Sequence, residues 1–225
     1  MNPALDLYGS SIGKKIVMGV SGLMLLGFVV AHMVGNLKIY QGEPKYNAYA
    51  EFLREVGAPA FGHGQLLWLA RFGLLAAVLV HLFAAAGLWR TGRAARRKGY
   101  RKNNDLSFSY ASRTMRWGGV IVAAFVIYHL LHLTFGTVHA DFRPDSVYRN
   151  VVTAFSRWPV ALGYVACMIP LGLHIYHGTW SVTQTLGLDG PAIAPFRRAA
   201  AAAIALVVTL GNISIPVAVL AGWVG

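Results

Sequence analysis

Residues 72–89 read FGLLAAVLVHLFAAAGLW, a run without any charged side chain and with a single histidine, His81, near its middle. With a helical rise of about 1.5 Å per residue, such a run is long enough to cross the hydrocarbon core of a bilayer. Four other runs are comparably apolar, and Pro170 and Pro216 predict kinks in the last two. The sequence therefore predicts an all-α integral membrane protein, a single membrane domain over residues 1–225. The five predicted spans are residues 16–37, 66–89, 117–137, 158–182 and 199–224.

The composition agrees with a membrane protein. The chain is 56% hydrophobic and 12% charged, whereas a soluble domain carries about 25% charged residues. A net charge of +12 would suggest a nucleic-acid partner in a soluble protein. Here the cations cluster at the ends of apolar runs, so no nucleic-acid partner is predicted. The single cysteine, Cys167, excludes an internal disulfide and a c-type haem attachment motif.

The positions of lysine and arginine predict the topology. Of the 20 cations, 13 fall on the side that contains the N-terminus, and the positive-inside rule makes this side cytoplasmic. These are Lys14, Lys15, Arg90, Arg93, Arg96, Arg97, Lys98, Arg101, Lys102, Arg113, Arg116, Arg197 and Arg198. On the outer side, residues 43–56 predict either a short interfacial helix or an ordered loop. His63 and His139 also fall in outer loops and are predicted to be solvated.

Four histidines, His32, His81, His129 and His174, each lie in a different span. An ionisable side chain inside a bilayer is costly unless it is paired or bound, which makes each a functional candidate. At about 1.5 Å per residue from the basic ends, His81 and His174 lie roughly 15 Å deep, and His32 and His129 roughly 20–25 Å deep. The histidines thus sort into an inner pair, His81 with His174, and an outer pair, His32 with His129. Two such pairs predict two bis-histidine haems that carry electrons between two depths.

Two further histidines leave alternatives open. His132 lies three residues after His129, and His177 lies three residues after His174, so each shares a helix face with its neighbour. Depth alone favours His132 over His129 as the partner of His32, and spacing does not separate them. A lone intramembrane histidine is more often an interhelical hydrogen bond than a ligand. A haem-free proton channel or transporter is the remote alternative, because no inverted repeat or buried acid accompanies the histidines.

Four stretches carry a resemblance to a known family. They are HMVGNLKIY (32–40), RTMRWGG (113–119), YHLLHLTFG (128–136) and GLHIYHGTWS (172–181). Together they resemble the cytochrome b membrane-anchor subunit of succinate dehydrogenase, in its single-chain, five-helix, di-haem type. The resemblance covers Gly13 to about Leu220. It implies a bundle around two stacked haems b, with helices two and four holding the inner haem and helices one and three the outer.

The resemblance also implies roles for individual histidines. Matching the motifs position by position favours His129 over His132 as the outer ligand and His174 as an inner ligand. His132 and His177 then become candidates for hydrogen bonds to a haem propionate or to quinone. Related anchors are thought to carry protons on a glutamate of helix four near the ligand. Here Gly172 and Leu173 precede the ligand, so that proton route is not expected.

Quinone and propionate sites are implied as well. Related anchors place a serine and an arginine four residues apart, with a glycine soon after, at a helix start that lines a quinone pocket. Ser112, Arg116 and Gly118 match this spacing, and such donors stabilise a reduced quinone. The alternatives for Arg116 are a bond to an inner haem propionate or simple anchoring of the helix. For Arg71, at the outer end of the second span, they are an outer propionate or interface anchoring.

The resemblance finally implies partners. A flavoprotein subunit would oxidise succinate, and an iron–sulfur subunit would pass the electrons to this chain, docking near the loop from Arg90 to Arg116. The chain itself has no dinucleotide fingerprint and no site for succinate. The electrons would leave to a quinone, with menaquinone the expected species, in the bacterial cytoplasmic membrane. An anchor of quinol:fumarate reductase is the alternative, because the same electron carriers can pass electrons in either direction. Whether the heterotrimer assembles further stays open.

Overall fold

The computed structural model describes residues 9–94, 106–188 and 190–225, with the side chains of residues 106–114 excepted. Within these ranges the chain is helical and contains no strand. A 3-10 turn, Leu37–Gln41, follows the first α-helix, and a π-helical turn, Leu130–Thr134, follows the fourth. The α-helices are α1 (Ser11–Asn36), α2 (Glu43–Glu55), α3 (Gln65–Ala94), α4 (Leu106–His129), α5 (Val147–Phe155), α6 (Trp158–Thr185) and α7 (Ala194–Leu220).

Five helices, α1, α3, α4, α6 and α7, are long and apolar enough to span a membrane. The prediction of an all-α protein with five candidate spans is therefore confirmed, and the five helices indicate a multi-pass membrane protein. As predicted, neither Pro170 nor Pro216 breaks its helix.

The last helix stops four residues before residue 224, where the predicted span ends. Helix α7 ends at Leu220 because Gly222 adopts a φ of +73°. The N–H of Gly222 bonds to the carbonyl of Val219 at 3.0 Å, and that of Trp223 bonds to Ala218 at 2.9 Å. This pair of bonds is a Schellman motif, which terminates a helix by satisfying its last carbonyls.

The spanning helices associate as two pairs with a fifth helix beside them. Helix α1 packs mainly on α3, α4 packs mainly on α6, and α7 packs along α6. Glycines permit the closest approaches: a Cβ at Gly172 would overlap Thr209, and one at Gly211 would overlap Met33. In α1, α3 and α4 only 11% of an 18-residue apolar stretch of each helix is buried, against 28% in α6 and 33% in α7. Most of the apolar surface of these first three spanning helices is therefore not buried against the rest of the protein.

The main hydrophobic core lies at one end of the bundle, where α1 and α7 end and α6 begins. We call residues 37–64 and 135–157, which contain α2 and α5, the cap. Asn47 holds the two cap helices together: its amide donates to Ser146 Oγ at 3.1 Å, and its Oδ1 accepts from the Tyr148 N–H at 3.0 Å. The buried core residues are Ile39, Tyr46, Tyr148, Val151, Ala154, Phe155, Ala161, Tyr164, Ile215, Ala218, Val219 and Val224.

The cap resolves one open alternative and adds one helix. Residues 43–55 form a helix rather than an irregular loop, with Pro44 in its first turn and Tyr46 buried against the core. Helix α5 was not predicted. Its signals are Ser146, whose hydroxyl accepts from the Arg149 N–H at 3.3 Å as an N-cap, and apolar residues at helical spacing after it.

Substituting Gly136 with alanine is expected to destabilise the cap. Gly136 has a φ of +71°, and an added Cβ would overlap the ring of Phe142. Left-handed backbone strain and overpacking together should cost about 2–5 kcal/mol. The midpoint of thermal unfolding in detergent, followed by circular dichroism, should fall. Gly163→Ala is the matched control, because a Cβ there meets nothing within 4 Å. An equal midpoint for both variants would contradict the expectation.

Candidate metal centres

The structure brings four of the intramembrane histidines together as two cross-helix pairs. The ring centres of His81 on α3 and His174 on α6 lie 6.1 Å apart, with their planes at 70°. Those of His32 on α1 and His129 on α4 lie 5.8 Å apart, with their planes at 89°. A histidine nitrogen binds a metal at about 2 Å, so two imidazoles on opposite sides of one iron have ring centres roughly 6 Å apart. Both pairs have this spacing.

Each histidine pair joins the two helix pairs. His81 and His32 belong to the α1–α3 pair, whereas His174 and His129 belong to the α4–α6 pair. Helix α1 also packs on α6 and α7, so the two histidine contacts are among several that join the two halves of the bundle. Aromatic rings lie beside the outer pair: Phe28 stacks on His32 at 5.3 Å between ring centres.

The hydrogen bonds of His81 identify its tautomer. Its Nδ1 lies 3.2 Å from the carbonyl oxygen of Met18 and 3.2 Å from Ser21 Oγ, both on α1. A carbonyl oxygen only accepts, so the proton is on Nδ1 and the lone pair is on Nε2. Metal-ligating histidines typically donate their second N–H to a backbone carbonyl in this way.

His129 and His174 differ from His81 in this respect. The Nδ1 atom of each is buried and has no hydrogen-bond partner among the described residues. A buried, unsatisfied ring nitrogen costs about 1–3 kcal/mol and calls for an explanation. Behind His174 there is also no side chain at Gly119, whose Cβ would lie 3.8 Å from the ring. The two paired contacts and the bound second N–H of His81 fit ligation of haem iron, whereas ligation through Nε2 leaves the Nδ1 atoms of His129 and His174 without partners among the described residues.

The structure assigns the contact with His32 to His129 and not to His132. His132 is buried among other rings, stacked on Tyr128 with 5.2 Å between ring centres. Its Nδ1 lies 2.9 Å from the hydroxyl of Tyr164. Depth counting favoured His132 by the rise of three residues, about 4–5 Å, which is no larger than the error that helix tilt introduces into such a count. The π-helical turn Leu130–Thr134 starts directly after His129 and changes both rise and rotation there.

The prediction that His139 is solvated was wrong. It is only 8% exposed, and its ring stacks on His132 at 4.8 Å. Its Nε2 lies 2.9 Å from the carbonyl oxygen of Asn150, because the loop after α4 folds back against α5. Asn150 fastens that loop with two hydrogen bonds to the backbone of Arg143, at 2.7 and 2.8 Å. The cap thereby closes over His132 and Tyr164, a tyrosine that sequence reasoning missed.

His63 is solvated as predicted, with 64% of its side chain exposed. Its Nε2 lies 3.0 Å from Glu51, which also accepts a hydrogen bond from Arg54 at 2.6 Å. These bonds, first that of His63 and then that of Arg54, lower the pKa of the exposed Glu51 carboxyl. His63 thus belongs to the surface of the cap and not to the histidine pairs.

The remaining predicted site residues are not members of the two histidine pairs. Arg71 is exposed and stacks over Trp68 at 4.7 Å, a contact that suits interface anchoring. Arg116 is exposed at the basic end of α4, and the side chain of Ser112 falls outside the described residues. His177 is half-buried beside Tyr176, with 5.1 Å between ring centres. Neither the ring contact of His177 nor that of Arg71 involves any of the four paired histidines.

Sequence reasoning treated Arg197 only as an anchoring cation. It is buried between α6 and α7, and its guanidinium donates to Thr183 Oγ1 at 3.3 Å. The only sequence signal was its place next to Arg198, just before an apolar run.

No family model matches the sequence, and no significant match is found among curated proteins or among solved structures.

Proposed function

We propose that this chain is a di-haem cytochrome b, the membrane anchor of a succinate dehydrogenase complex, which passes electrons from an iron–sulfur subunit to membrane quinone. The observation that carries the proposal is the pair of cross-helix histidine contacts, His81 with His174 and His32 with His129. Each contact has the spacing of two imidazoles on one iron. The resemblance of the motifs around these histidines to that family supports the same assignment.

The chain's own residues would bind and shield the two groups. A bound haem supplies a one-electron iron couple. His81 and His174 would hold the inner haem, and His32 and His129 would hold the outer one. The apolar side chains around the pairs exclude water, which limits side reactions and tunes the potential.

The proposed direction of electron transfer is inferred from the basic end of the bundle, where the electrons would enter. Cations lie where α1 begins, α3 ends, α4 begins and α7 begins, which supports a cytoplasmic placement of this end. The described cations there are Lys14, Lys15, Arg90, Arg93, Arg116, Arg197 and Arg198. An iron–sulfur partner would dock at this end; the docking loop predicted from the sequence, Arg90 to Arg116, includes residues 95–105, which lie outside the described residues. Electrons would then reach the inner pair first and leave to quinone, with menaquinone as the proposed species.

The first test is a pyridine haemochrome assay on the purified complex, with a dithionite-reduced spectrum. We expect two b-type haems per chain. One haem per chain would mean that one of the two pairs is misassigned. No haem in a preparation that is monodisperse and helical by circular dichroism would overturn the proposal. Succinate-dependent reduction of a menaquinone analogue by the same complex would then test the proposed activity.

A further inference from the structure

We infer that Ser21 and Gly22 of α1 form a positioning element for the inner ligand His81, and that this element sets the redox potential of the inner haem without contacting iron. The inference rests on the proposed function, because it presupposes a haem at the His81–His174 pair. It concerns a helix that supplies no ligand to that haem. Helix α1 carries His32, an outer ligand, roughly three turns further along.

The hydroxyl of Ser21 donates to its own helix, so that its oxygen accepts from His81. The residue is only 4% exposed, and its hydroxyl donates to the Val17 carbonyl at 2.8 Å. With its hydrogen used in this way, Ser21 Oγ is left to accept from Nδ1 of His81 at 3.2 Å. The carbonyl of Met18 provides a second acceptor for the same N–H at 3.2 Å.

Gly22 permits this approach. An added Cβ at this position would lie 3.2 Å from Cε1 and 3.6 Å from Nδ1 of His81. The first distance is tighter than ordinary van der Waals contact, so the ring would have to shift. The absence of a side chain at Gly22 therefore lets the imidazole edge rest against α1, where Ser21 and Met18 reach it.

The two ligands of the inner pair are consequently unequal. His81 donates its second N–H to two oxygens, whereas Nδ1 of His174 is buried without a partner among the described residues. A hydrogen bond from the second ring nitrogen raises the basicity of the ligand. A more basic imidazole stabilises ferric iron over ferrous iron and lowers the midpoint potential. Ser21 thus acts on the inner haem through His81.

The test is a redox titration of the complete complex carrying Ser21→Ala. We expect two haems per chain, an inner haem whose midpoint potential is raised, and an outer haem whose potential is unchanged. Ser21→Thr retains the hydroxyl and should restore most of the wild-type value. Ser156→Ala is the matched control, because its hydroxyl makes the same bond to a carbonyl four residues earlier, at 2.8 Å, but lies in the cap.

A second variant, Gly22→Ala, tests the positioning of His81 without removing the hydroxyl of Ser21. Gly22→Ala should displace His81, shift the electron paramagnetic resonance signal of the ferric inner haem and lower inner haem occupancy, with the outer signal retained. If Ser21→Ala and Gly22→Ala both keep two haems with wild-type potentials and signals, the inference is overturned while the proposed function stands. Absence of haem from the wild-type complex would instead overturn the proposed function.

Discussion

His81→Ala is expected to remove the inner haem and leave the outer one, so that the chain binds one haem instead of two. Alanine supplies no nitrogen ligand, and the ring of His174, 6.1 Å away, would face an open axial position. His174→Ala should give the same spectrum, because both residues would be needed to hold the same proposed haem. The pyridine haemochrome stoichiometry, together with a redox titration that resolves the two centres, measures the loss.

His63→Ala is the matched control for these variants. It also removes a histidine, but an exposed one whose partner is Glu51 in the cap. Two haems per chain are expected to remain. If His81→Ala and His174→Ala remove spectroscopically different haems, the two residues do not share one iron and the inner pair is misassigned.

His129→Ala and His132→Ala are expected to differ in kind, although the two residues are three positions apart. The first should abolish the outer haem, since His129 makes the ring contact with His32. The second should keep both haems and lower stability, because it removes a buried ring and its bond to Tyr164. Leaving the Tyr164 hydroxyl without its partner should cost about 1–3 kcal/mol.

Haem stoichiometry and thermal unfolding, measured on both variants, separate these outcomes. Tyr164→Phe is the control for the second, because it removes only the hydroxyl and leaves a ring of similar size against Phe125 and Phe155. It should bind two haems and lose part of the stability that His132→Ala loses. Loss of the outer haem from His132→Ala, with its retention in His129→Ala, would show that depth was the better guide to the ligand.

Properties that are local along the chain were predictable. Apolar length and flanking charges were enough to find the five candidate spans, because crossing a hydrocarbon layer demands a long run of nonpolar residues. Depth could be counted from each basic end, and this count paired His81 with His174, whose rings the structure places side by side. Between His129 and His132, the same count pointed to His132, because three residues of helical rise lie within the error of the count.

The cap was the part least accessible to sequence reasoning. His139 looked like a loop residue, yet the chain around it is held by Asn150 and stacked on His132. The burial of His139 depends on α5 packing beside the loop that follows α4. This contact joins two segments, and the sequence of either segment alone does not predict it. Helix α5 is also only nine residues long, and it is stabilised by packing rather than by its own propensity.

The sequence by itself determined the helical class and the number of candidate spans, since these follow from composition and from the length of each apolar run. Only the tertiary structure decided which rings face each other, that His132 bonds to Tyr164, and that Ser21 and Gly22 support His81. Those contacts depend on the rotation of each helix about its axis and on which helices are neighbours. Both are set by packing between residues distant in sequence, as with Ser21 and His81, 60 positions apart.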